Sequence, residues 1–241
     1  MSEHRAGKVP PVSSHARPLH LTTAVVATAA LLLQLVLVVN GEAVLDETQA
    51  PPTATAVARY VSYFTIQSNL LVAIGAWTLA AHPQRDGRGW RVLRLAGLTG
   101  ITVTALVHAV LLRPLLDLEG ASWLADTLLH VAVPLLAAGS WLLAGPRPRT
   151  DLRSGALAML WPVAWLVWTL VVGAASGWYP YPFLDVGEEG AASVALTSVA
   201  ITVLILAVMA LIGWLDRRLP APGSPSAGSR GPRATAGAPP G

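Results

Sequence analysis

The chain contains no cysteine. That absence excludes disulfides, thiolate metal sites and cysteine nucleophiles, and it leaves the redox compartment open. Charge is scarce as well. Only 12% of the 241 residues are Asp, Glu, Lys or Arg, against about a quarter in a soluble globular chain. No glycine-rich phosphate loop is present, no internal repeat recurs, and no HExxH spacing pairs two histidines on a helix. What is there is hydrophobic, at 54% of the residues.

The hydrophobic residues gather into six runs, roughly 19–39, 56–81, 92–112, 123–144, 155–174 and 191–215, each long enough to cross about 30 Å of hydrocarbon as a helix. The pattern predicts an all-α, polytopic membrane protein with six transmembrane helices. The first run has about 20 apolar residues, longer than the 7–15 of a signal-peptide core, and reads as an uncleaved anchor. Residues 1–18 then form a cytoplasmic tail, 19–215 the transmembrane domain, and 216–241 a Pro/Gly-rich cytoplasmic tail expected to be disordered.

Basic residues set the direction. Arg5, Lys8 and Arg17 precede the first run, and Arg85, Arg88, Arg91 and Arg94 join the second to the third. Arg147, Arg149 and Arg153 join the fourth to the fifth, and Arg217, Arg218, Arg230 and Arg233 follow the sixth. Of 16 basic residues only Arg59 and Arg113 fall on the opposite side, with Glu42, Asp46, Glu47, Asp117, Glu119, Asp185, Glu188 and Glu189. Both termini are therefore expected in the cytoplasm of a cell whose plasma membrane holds the protein. The net charge of +3 is read as a topology signal, with some affinity for anionic headgroups and no nucleic-acid surface. Trp123 and Trp178 fall at the outer interface, and Trp77, Trp90, Trp141 and Trp214 at the inner one.

Within the second run the chain reads YFTIQSNL, residues 63–70. Hydrocarbon offers no water to these polar groups, so each needs a protein partner or a wet pocket. Thr65, Ser68 and Asn69 share a helical face at i, i+3 and i+4. Gln67 is about 200° from Thr65 around the helix and meets a different neighbour. Helical rise puts Thr65 about 13 Å, and His130 about 11 Å, below the outer ends of their spans, so the two share a level. His108 and Asp126 lie about one turn higher, and Asp126 precedes His130 by four residues.

Two readings of this outer-half layer stand side by side. Ser, Thr, Asn and Gln in membrane helices commonly bond across helix pairs and do nothing else. A histidine as deep as His130 is a functional candidate by default. Asp126, within a turn of the interface, reads as a solvated carboxylate near a helix end, able to orient His130. His108 and His130 with Asp126 or Asp185 have donor atoms suited to zinc, but without local ligand spacing no metal is assigned.

The six-span layout, the threonine in YFTIQSNL, HVAVP at 130–134 and the loop SGWYPYPFLDVG at 176–187 resemble the androgen-induced protein family, and its bacterial six-span relatives more closely. The resemblance spans about 19–215 and is most specific in Trp178, Tyr179, Pro180, Tyr181, Pro182, Phe183, Leu184 and Asp185. It implies an integral-membrane threonine hydrolase of fatty acid esters of hydroxy fatty acids, with Thr65 and His130 at the catalytic positions and no cofactor.

That chemistry accords with the residues. A threonine hydroxyl becomes a nucleophile when a neutral imidazole takes its proton. Thr65 and His130 are thus expected within about 3–6 Å of each other. With the amides of an unbroken helix already used, Ser68 and Asn69 side chains are the expected oxyanion donors. The 176–187 loop is expected to close over the layer as a lid. The expected partner is a membrane lipid substrate, and the sequence leaves oligomeric state open. The alternative is a non-enzymatic protein that binds or moves a lipid through the same polar layer.

Overall fold

The computed structural model describes residues 15–42, 51–147 and 149–222. Most of the acidic loop with Asp46 and Glu47, the first 14 residues and the tail beyond 222 lie outside the described residues, as do the expectations attached to them. Among the described residues every regular element is helical. Six helices are long and apolar enough to cross a membrane: Ala16–Val39, Phe64–Ala81, Arg88–Leu115, Gly120–Ala144, Leu152–Ser176 and Ala191–Arg218. This is the architecture of a multi-pass membrane protein.

In chain order the α-helices are α1 (Ala16–Val39), α2 (Thr53–Ser62), α3 (Phe64–Ala81), α4 (Arg88–Val107), α5 (Gly120–Thr127), α6 (Val133–Ala144), α7 (Leu152–Ala158), α8 (Leu160–Ser176), α9 (Val186–Glu189) and α10 (Ala191–Arg218). α1 packs along α3 and α6, α3 along α4, and α4 against α7 and α10. Glycine sets the α3–α4 approach. A Cβ on Gly97 would lie 3.3 Å from the Leu71 backbone, and one on Gly100 would lie 2.8 Å from both Ser68 Oγ and the Trp161 ring. Small residues let membrane helices approach this closely. α8 and α10 are the least enclosed spans.

The second run is not one helix, as the sequence suggested. Tyr63 is extended, with φ −68° and ψ 131°, and separates α2 from α3. Its ring lies edge-on to Trp178 at 5.9 Å and to Tyr181 at 5.6 Å. Such a break strands carbonyls on one side and amides on the other, and in hydrocarbon each needs a partner. Trp165 Nε1 donates to Ser62 O at 2.8 Å, and Gln67 Nε2 to Val61 O at 3.1 Å. Across the gap, the Thr65 amide donates to the Tyr181 hydroxyl at 3.2 Å. Trp161 Nε1 holds Gln67 in place by donating to its Oε1 at 2.8 Å. Much of the polarity of YFTIQSNL therefore serves this interruption.

Two further spans loosen at one level into π-helical turns, His108–Leu112 after α4 and Leu128–Ala132 between α5 and α6. Each is closed by an i→i−5 bond, Arg113 N to His108 O and Val133 N to Leu128 O. A proline stands two residues after the end of each turn. Pro134 has no N–H for His130 O, and Pro114 none for Val110 O, so regular α-helical bonding fails there.

The end of the bundle rich in arginine is tied by buried polar groups. Asp216, 1% exposed, accepts from the Arg149 and Thr150 amides at 2.6 and 2.8 Å and from Thr150 Oγ1 at 2.9 Å. Arg94 donates to Pro146 O at 2.8 Å and to Gly145 O. Arg91 grips Asp86 with two bonds of 2.6 and 2.7 Å, and these hold the Asp86 carboxyl well below its ordinary range. Several arginines counted above for topology thus also fasten loops.

Candidate active site

At the opposite, acidic end, the break at Tyr63 makes Thr65 the second residue of α3. Its side chain is buried. Thr65 Oγ1 lies 3.3 Å from His130 Nε2. His130 Nδ1 faces two oxygens of Asp126, the main-chain O at 3.0 Å and Oδ1 at 3.0 Å. Two acceptors at Nδ1 put the ring proton there. Nε2 then offers its lone pair to the Thr65 hydroxyl, which is the tautomer a general base needs. A separation of 3.3 Å is long for a bond in use but ordinary in a resting site.

Asp126 is not the solvated carboxylate near a helix end that its position suggested. It is buried because Arg113 folds over from beyond the first π turn, placing Nη1 3.2 Å from Oδ2. His108 comes from the other side, with Nε2 2.8 Å from Oδ1. The His108 and His130 rings stack, centroids 3.7 Å apart and planes within 10°. One buried carboxylate thus serves two imidazoles and a guanidinium.

Ligand atoms of His108, Asp126 and His130 lie within 4.8 Å of one another, so the set has donors for a divalent ion. Its shape suits proton sharing better. Stacked rings aim their nitrogens side by side rather than at one point, and His130 Nδ1 is committed to oxygen acceptors.

Ser68 and Asn69 do not sit as oxyanion donors. Asn69 Nδ2 donates to Thr65 O at 2.9 Å and to Leu129 O at 3.3 Å, pinning α3 to the turn that carries His130. Ser68 Oγ accepts from Thr104 Oγ1 at 3.3 Å on α4. Both are fully buried positioning groups.

The 176–187 loop folds inward. Pro180, Tyr181 and Leu184 are buried, Trp178 and Tyr179 half-buried, and Pro182 exposed. The Tyr181 hydroxyl reaches the site, 3.4 Å from Thr65 Oγ1, while its ring stacks on Phe183 at 5.2 Å. Burial pushes the Tyr181 phenol up, so it keeps its proton at neutral pH. Tyr179 lies over Gly173, where a Cβ would run into its ring. Asp185 caps α9, accepting from Gly187 N at 2.8 Å and Glu188 N at 3.3 Å.

Two cavities meet here. A largely apolar one of about 130 Å³ runs between α3, α4, α8 and α10, past Val103, Trp165, Leu166, Ile201 and Ile205. A smaller, more polar one of about 60 Å³ opens beside Gln34, Tyr60, Ser122, Asp126 and His130. Thr65, His108, Leu112 and Tyr181 line both.

The sequence reading passed over two contributors, Arg113 and the Tyr181 hydroxyl. The signal for Arg113 was its charge, on the wrong side of the topology rule. No family model, no curated protein and no solved structure matches the chain. Fold and site together define a multi-pass helical protein with a Thr–His–Asp cluster at the junction of an apolar and a polar cavity.

Proposed function

We propose that the protein is an integral-membrane hydrolase of lipid esters, with Thr65 as nucleophile and His130 as general base. The observation that carries this reading is the 3.3 Å approach of Thr65 Oγ1 to an imidazole nitrogen whose partner nitrogen is held by Asp126. His130 Nε2 takes the Thr65 proton as Oγ1 attacks the ester carbonyl. The tetrahedral adduct collapses, the alcohol leaves with the proton from Nε2, and an acyl-threonine remains. Water entering by the polar cavity gives a proton to the same nitrogen as its oxygen adds to the acyl carbon; the bond to Thr65 Oγ1 then breaks, the acid leaves, and Nε2 returns the proton to Oγ1. Asp126 fixes the tautomer and stabilises the imidazolium between steps.

The apolar cavity suits an acyl chain and the polar one an alcohol or water. The charge asymmetry supports cytoplasmic termini and an outer-leaflet site in a plasma membrane. Resemblance to the bacterial six-span relatives of the androgen-induced protein family points to the same chemistry. The alternative, a non-enzymatic lipid carrier, would use the same apolar cavity and leave the base idle.

The test is hydrolysis of a panel of lipid esters by purified protein and Thr65→Ala. Turnover that disappears in the variant supports the hydrolase. Turnover that persists overturns it.

A further inference from the structure

The resting site gives Thr65 a second polar neighbour besides its base. We propose that Tyr181 is a catalytic residue of the ester hydrolysis argued above, its hydroxyl donating to the oxyanion formed on the substrate carbonyl. The inference rests on Thr65 as nucleophile.

Position is the first support. In a tetrahedral adduct on Thr65 the oxyanion lies about 2.3 Å from Oγ1, and a useful donor lies about 2.7–3.1 Å from the oxyanion. Tyr181 Oη, 3.4 Å from Oγ1, reaches that range with little movement. Donor direction is the second. Thr65 Oγ1 gives its proton toward His130, so the contact with Tyr181 is one in which the phenol donates. The Tyr181 oxygen meanwhile accepts from the Thr65 amide at 3.2 Å. That amide is free of helix bonding because α3 starts at Phe64. When the carbonyl arrives, the Thr65 N–H and the Tyr181 O–H turn to one oxygen.

The surroundings are the third support. Tyr181 is 6% exposed and ringed by Tyr63, Trp165 and Phe183 at 5.6, 6.0 and 5.2 Å. A hydrogen bond to developing charge is stronger there than in water. Tyr181 also lines both cavities, so a carbonyl linking an acyl chain in one to an alcohol in the other passes its hydroxyl.

Protons and electrons balance without a further reactant. The Oγ1–carbon bond forms, the carbonyl π pair moves onto oxygen, and the Thr65 proton moves to His130 Nε2. Tyr181 shares its proton but does not release it. Collapse restores the carbonyl, breaks the bond to the alcohol oxygen and returns the proton from Nε2 to the alcohol.

The experiment compares wild type, Thr65→Ala and Tyr181→Phe in detergent micelles, with p-nitrophenyl decanoate as substrate and a decyl trifluoromethyl ketone as an analogue of the adduct. Phe keeps the ring contacts and removes only the donor. Tyr181→Phe is expected to lower kcat about 100-fold, the loss typical of one oxyanion donor, with KM within threefold. Affinity for the ketone should fall by a comparable factor, which a merely structural role would not produce. If Tyr181→Phe does not stay monodisperse, 3-fluorotyrosine at 181 replaces it, and a rate altered at least threefold with KM unchanged supports the proposal.

A kcat within threefold of wild type for Tyr181→Phe, unchanged ketone affinity or an unaltered rate with fluorotyrosine overturns it. If Tyr181→Phe is fully active while Thr65→Ala is dead, this inference falls and the hydrolase stands. An active Thr65→Ala, or a wild type inert toward ester and ketone, overturns both.

Discussion

Replacing Asp126 by Asn removes the charge beneath two imidazoles while keeping nearly the same shape. In the catalytic step His130 becomes an imidazolium whose Nδ1 lies 3.0 Å from Asp126 Oδ1. Taking the charge centres about 4 Å apart and an effective dielectric constant of about 20, that pair is worth about 4 kcal/mol. Arg113 shares the carboxylate at 3.2 Å but is 45% exposed, so solvent weakens its claim. At 1.36 kcal/mol per tenfold, Asp126→Asn should cost about 100- to 1,000-fold in kcat. The fall should stop short of the about 10⁴ found where the amide leaves a catalytic histidine in the wrong tautomer, because the main-chain O of Asp126 also lies 3.0 Å from Nδ1. The assay is steady-state hydrolysis of p-nitrophenyl decanoate, with thermal unfolding in detergent as a check on folding. Activity within tenfold of wild type in a folded Asp126→Asn would refute the charge argument.

Other expectations are open to equally direct tests. Gly100→Ala puts a Cβ 2.8 Å from Ser68 Oγ and Trp161, and should destabilise by about 1–3 kcal/mol as an overpacked contact, read as a lowered midpoint of thermal unfolding. The pH–rate profile should rise through one ionisation as His130 becomes neutral. Because burial raises the Tyr181 phenol above its ordinary value of about 10, its O–H persists and no descending limb should appear below that pH. A second, alkaline-side loss of activity already below pH 9 would contradict the assignment. A reporter active only in the cytoplasm should function when fused to the C-terminus, and silence there would reverse the proposed topology.

Six spans could be read from apolar run length because 20 or so consecutive apolar residues have few other uses. The shared level of Thr65 and His130 could be read too, since helical rise turns sequence position into depth. The break at Tyr63 could not. No Gly or Pro occurs at 61–67, and the interruption is imposed by aromatic contacts with residues more than 100 positions away. In one continuous helix the Thr65 amide would be used in helix bonding, which left Ser68 and Asn69 as the expected oxyanion donors; the break gives that amide to the Tyr181 hydroxyl instead. The burial of Asp126 was hidden for a similar reason, because Arg113 reaches it only after a π turn re-aims the chain. One clue lay in plain view. Of the two arginines on the wrong side of the charge rule, Arg113 pairs with Asp126 and Arg59 sits over the Trp178 ring at 5.0 Å.

The central claim is that Thr65 and His130 form one proton-transfer unit, and a double-mutant cycle tests it most directly. Thr65→Ala, His130→Ala and the double variant are purified and their hydrolysis of p-nitrophenyl decanoate is compared with wild type. Groups that act as a unit are non-additive, so each single variant should lose about as much activity as the double, with all three folded. Losses that add in free energy, or hydrolysis unchanged in either single variant, would contradict the account.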